Sequence, residues 1–184
     1  MSSSDHSPST QAETRSPPTP DSPPVTRLAL FAYALAAAWV GVDQVSKAWV
    51  LGGLRLPERG SVAVVPGLFN LTMVWNRGVS YGLMHGGGEV GRWGLSLFSA
   101  AVAIGIAWWA RRVTRPLPAV ALGLVMGGAV GNLIDRVRLG AVVDFLDFSG
   151  AHFPWVFNVA DSGISIGVAV LLLDSLLAPR PATA

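Results

Sequence analysis

The chain has 184 residues, of which 51% are hydrophobic and 13% charged, with a net charge of +2 and no cysteine. Charge so far below the usual quarter points to a membrane protein, and a small, dispersed positive charge argues against nucleic acid. The lack of cysteine excludes disulfides, thiolate metal sites, a cysteine nucleophile and a thioether-linked lipid on the chain itself.

Residues 1–26 are rich in Ser, Thr and Pro and poor in apolar side chains, so they are expected to form a disordered tail. The first apolar run, Leu28 to Val42, is uncharged and ends at Asp43-Gln44-Val45-Ser46-Lys47. As a helix it rises about 22 Å, which places Asp43 near the far edge of a hydrocarbon layer of about 30 Å. A cleavable signal peptide fits less well, because a long polar tail precedes the run and no small-residue cleavage pattern follows it.

Between Arg59 and Arg77 the chain is uncharged, yet Pro66-Gly67 breaks it and Asn70 and Thr72 interrupt it. Val62, Val64 and Val65, then Phe69, Leu71 and Met73, read as two short strands lying at the membrane surface, within about residues 61–75. Trp75-Asn76-Arg77-Gly78 reads as a polar turn, and Gly86-Gly87-Gly88 as a flexible link. Two further runs, Trp93 to Ala110 and Pro116 to Ile134, are each long enough to cross once. The short connection Arg111-Arg112-Val113-Thr114-Arg115 holds three arginines and is expected to be cytoplasmic. In the third run Gly123, Gly127 and Gly131 recur every fourth residue, a smooth ridge for close helix packing. A phosphate cradle at this ridge is excluded by the lack of a following Lys or Ser/Thr in the required positions. The last run, Ser162 to about Leu177, is the fourth span. Four crossings put both termini, including residues 179–184, on the cytoplasmic side, and residues 27–178 form one membrane domain.

This topology sends Asp43, Asp135, Asp144 and Asp161 to the same, outer face. Asp43 has Lys47 at i+4, so a local ion pair gives it an orienting role. Asp135 is followed by Arg136 and preceded by Asn132 one turn earlier, so a charge-assisted network within the helix end is expected there. Asp144, in Val142-Val143-Asp144-Phe145, and Asp161, in Phe157-Asn158-Val159-Ala160-Asp161, have no cationic neighbour within four residues. Two such carboxylates close together raise one another's pKa and share a proton at neutral pH. The ionised member could then activate a water and the protonated member stabilise an oxyanion, which suits hydrolysis of an amide without metal or other cofactor. His6, His85 and His152 stand alone and suggest no metal site, and no Ser sits in a nucleophile elbow. The competing reading is a small transporter or channel subunit using the carboxylates as a relay, which would favour acids near the midplane.

Asp43-Gln44-Val45-Ser46-Lys47, Asn76-Arg77-Gly78, Gly131-Asn132-Leu133-Ile134-Asp135-Arg136, Val142-Val143-Asp144-Phe145 and Phe157-Asn158-Val159-Ala160-Asp161 resemble, in order and spacing, the motifs of the bacterial lipoprotein signal peptidases (signal peptidase II). The resemblance spans roughly Leu28 to Leu177. It implies an all-α polytopic membrane protein, four transmembrane helices carrying a small extracytoplasmic β-cradle, in the bacterial inner membrane with its active site at the outer face. It implies an aspartic endopeptidase whose partners are membrane lipids and diacylglyceryl-prolipoproteins, cut immediately before the lipidated cysteine. The catalytic pair falls on Asp144 and Asp161. Asp43, Lys47, Asn76, Gly78, Asn132, Asp135, Arg136 and Asn158 fall on supporting or substrate-contacting positions. After the Asn-x-Gly, family members usually show Ala-Ala and then Phe or Trp; here Val79-Ser80-Tyr81 follow, and Arg77 adds a charge.

Overall fold

The computed structural model of the protein describes residues 25–78 and 88–177. Most of the N-terminal tail, His6, Val79-Ser80-Tyr81, His85 and residues 179–184 lie outside the described residues. Among the described residues four helices are long and apolar enough to cross a membrane: Arg27–Gly53, Glu89–Ala110, Pro116–Leu139 and Val159–Leu177. The first comprises α1 (Arg27–Ala48) and a π turn (Trp49–Gly53), and a short helix α2 (Leu56–Arg59) follows. The others are α3 (Gly88–Ala110), α4 (Pro116–Leu139) and α5 (Val159–Leu177).

The helix ends follow from local chemistry. Thr26 caps α1, its Oγ1 accepting from the Ala29 amide at 3.0 Å while donating to the Val113 carbonyl at 2.9 Å. Pro116 opens α4, where a missing N–H costs nothing, and Gly140 closes it in the left-handed conformation. The first helix runs on past the apolar stretch that ends at Val42 and, as the i+4 spacing of Asp43 and Lys47 requires, carries both of these residues, which are buried. The reason is that these two charges pair with each other, so the helix can carry them inward.

Helix α4 is the buried centre, packed against α1, α3 and α5. Its glycine ridge works on two sides. A methyl group at Gly123 or Gly127 would press on the Ala32 or Ala36 carbonyl of α1, at 2.8 and 2.9 Å. One at Gly128 would collide with the Ala160 carbonyl and with Ile164 of α5. Backbone approach this close is available only to glycine, and it replaces the hydrophobic driving force that lipid does not supply between helices. At the far end Arg115, last of the three loop arginines, pairs with buried Asp174 of α5, its Nη1 donating to Oδ2 at 2.9 Å.

The sheet is larger than the two strands expected. Strands β1 (Ser61–Val65), β2 (Phe69–Asn76), β3 (Val142–Asp147) and β4 (Val156–Phe157) form one antiparallel sheet in that order. Trp75 and Asn76, expected in a turn, complete β2 and pair with Val143 and Val142. Val50 and Leu56 pack with Leu71, Val143 and Phe145 of the sheet, so the π turn and α2 fasten the sheet to the end of α1. Gly128→Val is expected to lower stability by about 3 kcal/mol or more, because the added atoms meet backbone. Gly105→Ala on α3, with nothing within 4 Å, serves as the neutral control in thermal unfolding. Equal melting temperatures for the two variants would contradict the close-packing account.

Candidate active site

Two elements bring the acids together. Asp144 is the third residue of β3, and Asp161 lies in the first turn of α5. Between them in space stands Asn158, fully buried. Its Nδ2 donates to Asp144 Oδ1 at 2.6 Å, and its backbone N–H donates to Asp161 Oδ2 at 3.3 Å. The Asp161 amide in turn donates to Asn158 Oδ1 at 2.9 Å. This reciprocal pair is a capping box in which asparagine and aspartate stand for the usual hydroxyl and glutamate. The cap therefore starts α5 at Val159, ahead of Ser162, and fixes the Asp161 carboxylate by the same bonds.

The remaining oxygens of both acids are held by carboxamides. Asn76 Nδ2 donates to Asp144 Oδ2 at 2.9 Å, and Asn132 Nδ2 donates to Asp161 Oδ1 at 2.7 Å. Asn132 is itself oriented by Asn158, whose Nδ2 lies 3.2 Å from Asn132 Oδ1. Asn76 is oriented by the Gly78 amide, which donates to its Oδ1 at 2.9 Å. Gly78 has φ of +93°, a conformation that side chains disfavour, and a Cβ there would strike Leu95. Arg77, one residue away, lines a separate cleft of about 470 Å³ with Trp75, Glu89, Arg92 and Gly140.

The structure corrects the expected partner of Asp135. Adjacent residues on a helix point apart, and among the described residues Asp135 pairs with Lys47 of α1, not with Arg136. Lys47 Nζ lies 2.8 Å from Asp135 Oδ2 and 2.8 Å from Asp43 Oδ2, with all three side chains buried. The local Asp43–Lys47 pair is as expected, but it is half of a larger cluster. Gln44, unassigned in the sequence reading, donates from Nε2 to Asp135 Oδ1 at 2.9 Å and to Asp43 Oδ2 at 3.1 Å. Removing one partner from such a buried cluster leaves an uncompensated charge, at a cost of about 3–5 kcal/mol. Arg136, half-buried, instead lies within electrostatic reach of Asp161, Asp144 and Asp135.

Surroundings set the proton affinity of the two acids carried by β3 in opposite directions. Burial pushes Asp144 up to about 6; the Asn76 hydrogen bond opposes this, the Asp161 charge adds to it, and Asn158 and the Lys47 charge oppose it further. Asp147, three residues on, is held below the usual range by the Thr72 hydroxyl, which donates to Oδ2 at 2.6 Å, and by Ser149, whose amide donates to Oδ1 at 2.9 Å. Asp147 went unnoticed in the sequence because its partners are remote or backbone. Among the described residues no group of three or more His, Asp or Glu is arranged to hold a metal ion.

A family model described as Signal peptidase (SPase) II matches residues 35–177. The chain belongs to the signal peptidase II family. The lipoprotein signal peptidase of Caulobacter vibrioides is 55% identical over 154 residues, covering 83% of this chain and 90% of that protein. The lipoprotein signal peptidase of Rhodopseudomonas palustris strain CGA009 is 45% identical over 141 residues, covering 74% and 85%. Two solved structures described as bacterial membrane enzymes, obtained by the in meso method, share the fold. One has a TM-score of 0.65 at 29% identity, covering 84% of this chain and 94% of that one. The other has a TM-score of 0.69 at 30% identity, covering 81% and 94%. Membership of the signal peptidase II family makes this protein a protease with a four-helix membrane fold, as its sequence led one to expect.

The raised pKa of Asp144 predicts a pH effect on stability in this signal peptidase II member. The folded chain binds the proton more tightly than the unfolded chain, whose value is near 3.8, so the favourable contribution is complete below that value and is lost as pH rises through about 6. Relative to Asp144→Asn, the native protein is expected to lose up to about 3 kcal/mol between pH 4 and 7. Thermal unfolding of both proteins across that range checks this, and parallel curves would contradict it.

Proposed function

We propose that the protein is an aspartic endopeptidase that releases signal peptides from diacylglyceryl-modified prolipoproteins, cutting before the lipidated cysteine, with Asp144 and Asp161 as its catalytic residues. The observation that carries this reading is a pair of acids joined through one buried asparagine and hydrogen-bonded by amide donors. Family membership supplies the substrate class.

In this reading the pair holds one proton. The ionised carboxylate takes a proton from a water held between the two acids, and the water oxygen attacks the scissile carbonyl. The protonated carboxyl donates to the developing oxyanion, and the tetrahedral species collapses as a proton passes to the leaving amine. Asn158, Asn132 and Asn76 orient the carboxylates without neutralising them. Arg136 faces the same charges and is a substrate-contacting candidate.

Location supports the substrate. Asp43, Asp135, Asp144 and Asp161 gather at the end of the bundle that carries the sheet, and the buried Asp174 at the other end is paired with Arg115. Such a distribution suits an interfacial scissile bond and gives no chain of acids across the bilayer, as a transporter would need. The arginine-rich connection between α3 and α4 supports a cytoplasmic setting for the opposite end and, with four crossings, for both termini. The site then faces the outer leaflet, where the acyl-bearing cysteine resides.

Purified protein should cleave a diacylglyceryl-modified prolipopeptide in detergent, with EDTA leaving the rate unchanged. Asp144→Asn and Asp161→Asn should each reduce kcat by about 10³-fold or more while remaining folded, in keeping with the worth of acid–base groups. Full activity in either variant would remove the dyad, and abolition by EDTA would replace it with a metal mechanism.

A further inference from the structure

The buried cluster of Lys47, Asp43 and Asp135 touches neither catalytic carboxylate through a hydrogen bond, yet each of its acids has a second engagement. Asp43 Oδ1 accepts from the Ala160 amide at 2.9 Å. Asp135 Oδ2 accepts from the Val143 amide at 3.0 Å. Ala160 immediately precedes Asp161, and Val143 immediately precedes Asp144.

Both amides are ones that secondary structure leaves unsatisfied. Ala160 is in the first turn of α5, where N–H groups lack an intrahelical acceptor. Val143 lies on the stretch of β3 that β4 does not cover, since β4 pairs only with Leu146 and Asp147. Each amide is buried, so each needs an acceptor, and a carboxylate gives a stronger bond than a carbonyl. The two acceptors come from different helices, α1 and α4, and the Lys47 ammonium fixes the distance between them.

We propose that Lys47 is a positioning residue for catalysis: it braces Asp43 and Asp135 so that the backbone preceding each catalytic aspartate is held in one mutual arrangement. The brace has two arms of like construction, ammonium to carboxylate to amide, one ending beside Asp161 and the other beside Asp144. Lys47 Nζ also lies 3.5 Å from Asn132 Oδ1, so the carboxamide that holds Asp161 is tied to the same ammonium. The proposal rests on the dyad reading above and adds what sets the separation of its members. Without the ammonium two carboxylates face one another at the hub with nothing to hold them together, and both arms shift. A displacement of about 1 Å between reacting groups costs on the order of 100-fold in rate, while substrate binding, made elsewhere, is spared.

The test uses the full-length enzyme in lipid nanodiscs with a diacylglyceryl-modified prolipopeptide. Lys47→Met keeps the stem and removes the charge. It is expected to lower kcat about 100-fold with KM changed less than about threefold, and to move the amide proton resonances of both Val143 and Ala160. Asp135→Asn should move the Val143 resonance alone and Asp43→Asn the Ala160 resonance alone, each with a lower kcat and an unchanged KM. These two variants carry the test if Lys47→Met does not fold, because Lys47 keeps one carboxylate partner in each. A merely structural role would lower the melting temperature and leave kcat per folded enzyme intact. That result, a loss confined to KM, or a response of the wrong amide would overturn the brace. Asp144→Asn separates the two claims: its inactivity beside a fully active Lys47→Met sinks the brace and leaves the dyad, whereas its activity sinks the dyad.

Discussion

A carboxylate held out of water needs a counter-charge, hydrogen-bond donors or a proton, and the sheet end of this bundle gives a different answer to different acids. Asp43 and Asp135 share the Lys47 ammonium. Asp147 is satisfied by a hydroxyl and an amide. Asp144 and Asp161 receive carboxamides from Asn76, Asn158 and Asn132. The distinction matters chemically. A lysine or arginine in contact would fix the charge of the acid, whereas an amide fixes its position and leaves the proton free to come and go. Burial then favours the protonated form of Asp144, so the pair is both ordered and able to exchange a proton.

That arrangement depends on α4. Its glycines admit α1 on one side and α5 on the other, and its last turns carry Asn132, Asp135 and Arg136 to the place where both helices end. The sheet completes the site from a third direction, with β3 supplying Asp144 and β2 the Asn76 that holds it. The π turn and α2 fasten that sheet to α1, so the strand that carries Asp144 and the Lys47 helix belong to one packed unit. Rigidity of this kind holds two acids at a fixed separation, so that their groups are preorganised for the reaction.

The spans were legible because uninterrupted apolar runs have few alternative uses, and the acids were legible because charge is rare beside such runs. The pairings were less so. The partner of Asp135 lies on another helix with no local pattern to announce it. Strand β3 was hidden for another reason. Val142, Val143, Asp144 and Phe145 are all buried, so the alternation that marks a half-exposed strand is missing. The start of α5 is legible in principle, because asparagine at 158 followed by aspartate at 161 has capping-box spacing.

The central claim is that Asp144 and Asp161 share a single proton under working conditions. Infrared difference spectroscopy at pH 6 on protein labelled with ¹³C-aspartate reads this directly. The account predicts one protonated-carboxyl band that shifts with the label and is removed or displaced by Asn at either 144 or 161. A spectrum with no such band, or with one that ignores both substitutions, would contradict it.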